Sequence, residues 1–182
     1  MRRFKFSDSH FASAFAAFIE ERRETPEDVD AVVRDVLAAV RAEGLAALLR
    51  FAREYDRVEL DETSIRVSQA EIDAGAEACP VAVREAIAFA AERIRSYHAR
   101  QRPADLRFTD DAGVELGWRW GPLDSVGIYV PGGRAAYPST VLMNAVPAAV
   151  AGVGRIAMVT PPGRLQPAVL AAAKAAGVTE IW

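Results

Sequence analysis

Hydrophobic positions follow two different rhythms along this chain. Over the first hundred or so residues they recur at helical spacing. Val29, Val32, Val33, Val36, Leu37 and Val40 form one stripe, preceded by Thr25-Pro26-Glu27-Asp28, which combines an N-cap residue, a proline at the first helical position and acids in the first turn. Gly44 ends or interrupts that helix. A second helix over about Leu45 to Tyr55 carries Leu45, Leu48, Leu49 and Ala52 on one face. Ile65-Arg66-Val67 reads as a short strand, and Ser68-Gln69-Ala70-Glu71 has the spacing of a capping box that opens another helix. Pro80 separates this from a long helix over about Val81 to Gln101, with Val83, Ile87, Ala90, Ile94 and Tyr97 facing inward and Arg84, Glu85, Glu92, Arg93 and Arg95 outward. A hairpin follows: Leu106-Arg107-Phe108, a turn at Asp110-Asp111-Ala112-Gly113, and a strand over Val114 to Trp120. Of Trp118 and Trp120, one is expected to pack inward and one outward.

After Gly121-Pro122 the rhythm changes. Val126-Gly127-Ile128-Tyr129-Val130 is a continuous apolar run, as expected of a strand covered on both faces. Pro131-Gly132-Gly133 breaks it. A helix from about Ser139 to Gly152 follows, with Pro147 expected to kink or divide it. Next come a strand at Ile156-Ala157-Met158-Val159-Thr160, a turn at Pro161-Pro162-Gly163, a helix over about Leu165 to Ala176 stopped by Gly177, and a strand starting at Glu180-Ile181-Trp182. The fold class is α/β: a helical and hairpin N-terminal part (1–121) of a split α/β domain, followed by an incomplete Rossmann-like domain (122–182). The order β-α-β-α-β is the opening half of a doubly wound parallel sheet. Because the chain stops as its third strand begins, that end reads as a truncation.

Composition sharpens the division. Of 182 residues, 51% are hydrophobic and 26% charged, an ordinary globular mixture. Residues 1–121 hold 18 basic and 23 acidic side chains, while 122–182 hold 4 and 2, together with seven of the ten prolines. A net charge of −3 gives no electrostatic reason to expect a nucleic-acid partner. One cysteine, Cys79, precludes an intramolecular disulfide framework, and two histidines, His10 and His98, are too few for a conventional zinc site. The apolar segment Phe11 to Ile19 is nine residues long, far from the ~20 needed to cross a bilayer. No membrane partner is therefore expected, and the expected location is the cytoplasm.

Ligands of open α/β sheets bind beyond the carboxyl ends of the strands. That edge is predicted to carry Tyr129-Val130-Pro131-Gly132-Gly133 after one strand and Thr160-Pro161-Pro162-Gly163 after the next. Glycines permit close backbone approach, and each following helix N-terminus offers N–H groups and partial positive charge. Ordinary βα turns use the same residues for geometry alone. The G-x-G-x-x-G fingerprint is missing, and no acid ends the second strand to hold a ribose hydroxyl. His98 reads as a helix-terminal histidine, His10 as part of a polar leader, and Cys79 as a structural thiol.

The run from Gly121 to Asn144, GPLDSVGIYVPGGRAAYPSTVLMN, resembles the signature region of the histidinol dehydrogenase family. The similarity continues through Pro147, Ala151-Gly152-Val153, Thr160-Pro161-Pro162 and Ala176-Gly177-Val178, and upstream through Ser96-Tyr97-His98 and Gln101. One departure is Gly44-Leu45, where the family usually has Gly-Asp. The resemblance implies a cytoplasmic homodimer in histidine biosynthesis that oxidises L-histidinol to L-histidine in two NAD-dependent steps, with zinc holding the substrate. It implies that Tyr129 contacts NAD, with Pro131, Gly132, Gly133 and Pro161 lying where the cofactor meets the two strand ends. The family's zinc ligands and its glutamate–histidine acid–base pair lie in its later half, so neither catalytic nor metal-binding residues are assigned here. The chain is expected to be inactive alone.

Other readings stay open. One is a paralogous zinc- and NAD-dependent dehydrogenase acting on another small polyol. Another is a non-catalytic assembly subunit completed by a separate carboxyl-terminal chain. A free-standing nucleotide-binding domain is disfavoured by the absent fingerprint.

Overall fold

A computed structural model describes residues 3–21, 26–132, 136–162 and 165–182. The chain forms two compact units, Met1–Phe51 and Ala52–Trp182.

The first unit contains α1 (Phe11–Glu21), α2 (Pro26–Glu43) and α3 (Leu45–Phe51). Phe11, Phe15 and Phe18 recur at helical spacing on α1, and Phe4 packs on the last two, with ring centroids 5.9 Å and 5.1 Å away. Helix α2 has the predicted bounds, while Thr25, its predicted cap, lies outside the described residues. Gly44 separates α2 from α3 with φ of 61°, in the left-handed region that suits glycine.

In the second unit the backbone opens with a π-helical turn, Ala52–Asp56, so the helix predicted over 45–55 is α3 followed by this wider turn. Arg57, at φ of 58°, ends it, and the Val58 N–H donates to the Ala52 carbonyl at 3.3 Å. Arg53 grips Glu59 through two hydrogen bonds of 2.7 and 2.8 Å across the exit. Helix α4 (Gln69–Glu77) begins with the predicted capping box: the Glu71 N–H donates to Ser68 Oγ at 3.2 Å, and the Ser68 N–H donates to Glu71 Oε2 at 2.8 Å. Helix α5 is Val81–Ala99. Its buried stripe is Ile87 and Ala91, flanked by half-buried Ala90 and Ile94. Val83 and Tyr97, predicted inward, are exposed: they continue the stripe toward the two ends of α5, whereas its packing against α6 and α7 buries the middle of the helix at Ile87 and Ala91.

The hairpin pairs β1 (Leu106–Thr109) with β2 (Glu115–Trp118), Leu106 opposite Trp118 and Phe108 opposite Leu116. Both Trp118 and Trp120 are exposed, against the expectation of one inside. Residues two apart in a strand share a face, and β2 ends before Trp120.

The parallel sheet has the order β3-β4-β5, from Ser125–Tyr129, Arg155–Val159 and Glu180–Ile181. Helix α6 (Pro138–Ala151) links the first pair and α7 (Pro167–Ala176) the second, giving the predicted β-α-β-α-β succession. Gly152 and Gly177, at φ of 97° and 82°, cap the two helices in the left-handed region. Pro147 sits inside α6 without dividing it. Ile65-Arg66-Val67 contributes one antiparallel bridge, Val67 to Ile181, in place of a strand.

The core fills one face of this sheet. Val126 pairs with Ile156 and Ile128 with Met158, and these side chains meet Val141, Leu142, Ala145 and Val146 of α6 and Val169, Ala172 and Ala173 of α7. Helices α4 and α5 pack on α6 and α7. Gly75 of α4 lies so close to Leu170 of α7 that a Cβ there would collide with the leucine side chain. The opposite face carries Gly127, Tyr129 and Val159, all exposed, so the strand at 125–129 is covered on one face rather than two. Compactness also groups α4, α5 and the hairpin with the sheet, whereas the composition change placed a boundary at Gly121-Pro122. The physical reason is that the apolar faces of α4 and α5 find their partners on α6 and α7.

Candidate functional site

The carboxyl edge of β3 and β4 is where the two βα loops leave the sheet. Tyr129 is the last residue of β3, opposite Val159 in register, with 63% of its surface exposed. The next residue returns to the core: Val130 is buried, and its N–H donates to the Val159 carbonyl at 2.9 Å. On the other side of β4, the Thr160 N–H donates to the Trp182 carbonyl at 3.1 Å. Both strand ends are thus held by backbone bonds while the Tyr129 ring stands free of the core.

Pro131 and Gly132 are half-buried beyond Val130, and Pro161 is half-buried beyond Thr160. The two loops touch. A Cβ on Gly132 would lie 3.1 Å from Cβ and Cγ of Pro161 and 3.4 Å from its Cδ. Gly133 lies outside the described residues. Each loop leads into a helix with proline at its first turn and no side-chain cap, Tyr137 preceding α6 and Gln166 preceding α7. Both N-termini therefore present backbone N–H groups and partial positive charge at the same edge. Four of the five residues singled out in the sequence are brought together here.

The other candidates lie elsewhere. His98 is at the end of α5, where Nδ1 is 2.6 Å from Gln101 Oε1 and the ring meets Tyr97 edge-on. The His10 carbonyl accepts from Ser13 Oγ at 3.1 Å at the start of α1. Cys79 is buried. Among the described residues, no group of three or more His, Cys, Asp or Glu side chains is placed to hold a metal ion. These residues do not fit zinc.

One charged cluster was missed in the sequence. Glu180, 8% exposed, accepts from Arg155 and, at 3.1 Å, from the Trp182 indole N–H, while Arg66 lies 3.8 Å away and over the Trp182 ring. Hydrogen bonding from Arg155 holds the Glu180 carboxyl below its usual range. Both Glu180 carboxylate oxygens are partnered within the group, so it reads as a clasp joining residue 66, β4 and β5. Arg66 is over a hundred residues from Glu180 in sequence and Arg155 is 25 residues from it, and no local pattern signals either pairing.

Fold and edge together define an α/β protein built on a parallel sheet, with its two βα loops gathered at the carboxyl side. The histidinol dehydrogenase family model matches residues 19–182. The chain is 70% identical over its whole length to the histidinol dehydrogenase of Caulobacter vibrioides, covering 42% of that protein. It is 53% identical over 97% of its length to that of Brucella abortus, covering 41%. The crystal structure of histidinol dehydrogenase from Elizabethkingia anophelis superposes with a TM-score of 0.78 at 34% identity, over 84% of this chain and 36% of that one. The chain belongs to the histidinol dehydrogenase family, a family of oxidoreductases. It spans about two-fifths of the length of the curated relatives it matches.

Proposed function

We propose that this chain supplies the NAD-binding edge of a histidinol dehydrogenase, an enzyme of histidine biosynthesis that oxidises L-histidinol through the aldehyde to L-histidine. The supporting observation is the coincidence, in a member of this family, of an exposed Tyr129 at a strand end with two touching glycine–proline loops at that same edge. NAD supplies the hydride acceptor when bound. Tyr129 offers a flat ring and a hydroxyl against the dinucleotide. Pro131 and Pro161 would wall it, Gly132 and Gly133 let backbone approach it, and the N-termini of α6 and α7 favour its pyrophosphate.

No step is routed through zinc on these residues. The cation and the groups that move protons belong to other parts of such an enzyme, which in this reading is a cytoplasmic homodimer. Among the described residues no helix is long and apolar enough to cross a membrane. The test is NADH formation from L-histidinol with zinc present, by the 182-residue chain and by a family-length enzyme carrying this segment. The longer protein is expected to turn over and the chain alone is not. Zinc-dependent NADH production by the chain itself would contradict this division of labour.

A second reading, an assembly subunit completed by another chain, is favoured by one observation. Leu106, Phe108, Leu116 and Trp118 share one hairpin face and are each more than 40% exposed. Recovery of activity on mixing this chain with a separately expressed remainder of a relative would support it.

A further inference from the structure

We infer that Gly132 acts as a positioning residue, setting the gap between the two βα loops by its contact with Pro161. The inference rests on the reading of this edge as an NAD site. Glycine is used at four described positions for a left-handed backbone, Gly44, Gly113, Gly152 and Gly177, and Gly132 is not one of them. Its conformation is open to other residues, so backbone freedom does not explain it. What a side chain would meet does. The Pro161 ring fills the space, with two of its carbons 3.1 Å from the position a Cβ would take.

Relief of that contact has few routes. A proline ring cannot rotate aside as a leucine or lysine would, and Pro162 restricts the backbone of Pro161 further. Upstream, Val130 is buried at 1% exposure and bonded to Val159, so the loop cannot back away toward β3. A methyl at position 132 therefore forces the Gly132 backbone and the Pro161 ring apart and widens the gap between the two loops, across which the dinucleotide is proposed to lie. Gly132 and Pro161 act as a matched pair, one lacking bulk where the other supplies a rigid block.

The test is a cycle of four proteins: the unsubstituted chain, Gly132→Ala, Pro161→Gly and the double variant. NAD is titrated into each and followed by backbone amide shifts, and the melting temperature of each is recorded. Gly132→Ala is expected to weaken NAD binding roughly tenfold, near the low end of what one inserted methyl costs. Pro161→Gly is expected to weaken it less. The double variant is expected to bind no worse than Pro161→Gly, because the methyl then has room. If Gly132→Ala weakens binding equally in both backgrounds, the methyl meets the cofactor directly and the spacing role is overturned. If Gly132→Ala has no effect on binding, it is overturned too. If the unsubstituted chain shows no NAD-dependent shifts, the cofactor reading fails and takes this inference with it. A fall in melting temperature that tracks the loss of binding across all four proteins would assign the pair to general stability instead.

Discussion

The two compact units were written with the same hydrophobic alphabet and spend it differently. In Ala52–Trp182 the apolar positions of α6, α7, β3 and β4 close on one another, with Val141, Ala145, Val146 and Met158 at 0% exposure. In Met1–Phe51 the predicted stripe of α2 exists as a stripe, yet Val29, Val32, Val33 and Leu37 are each about half exposed at 57, 49, 49 and 49%. Periodicity specifies which face of a helix is apolar. Burial additionally needs a second apolar face at the right distance, and the sheet unit contains one for each of its helices. Helical spacing is thus evidence for a helix, and evidence for a core only once a partner face is identified.

The largest effect that could break this contrast is a cavity. Met158→Ala, at the centre of the sheet, is expected to cost about 2–5 kcal/mol, whereas Val33→Ala on α2 is expected to cost less than ~0.5 kcal/mol. Chemical denaturation of both variants checks the pair, and equal losses would show that α2 is as well packed as the sheet. Next is the crossing of α4 and α7. Gly75→Ala forces Leu170, 5% exposed, out of its place and is expected to cost about 1–3 kcal/mol. A neutral result would mean α4 is not held against α7 at that point.

Smaller again is the helix start. Ser68→Ala removes the acceptor for the Glu71 N–H and is expected to cost about 1 kcal/mol in the same assay. The smallest expected effect is a pH dependence. The Arg155 hydrogen bond depresses the folded Glu180 pKa below its ordinary 4.5. Its stabilisation is therefore complete above that value and lost as pH falls through the lower folded one. Glu180→Gln is expected to lower the melting temperature at neutral pH and to flatten its decline below pH 4.5. A parallel decline in both proteins would remove Glu180 from the account.

What could be read from the sequence was local. Ser68 and Glu71 are three residues apart, Gly152 and Gly177 each directly follow a helix, and the β-α-β-α-β order is a succession of short segments with turn residues between them. Tyr129 and Pro131 were visible as the end of an apolar run. What could not be read was non-local. The Gly132–Pro161 contact depends on how closely two loops approach, and Glu180 finds Arg66 across most of the second unit. The exposure of Val83 and Tyr97 depends on where α6 and α7 lie, and a single helix pattern does not contain that. The widened turn at Ala52–Asp56 breaks a regular pattern without any proline or glycine to announce it.

The central claim is that the edge bearing Tyr129 binds NAD within this chain. The most direct measurement is equilibrium NAD binding to the unsubstituted chain and to Tyr129→Ala, with melting temperatures recorded for both. Saturable binding is expected, weakened several-fold by the substitution, in line with the ~0.5–1.5 kcal/mol of one aromatic stacking contact, while melting is unchanged because the ring lies outside the core. Absence of binding, or equal binding by both proteins, would contradict the account.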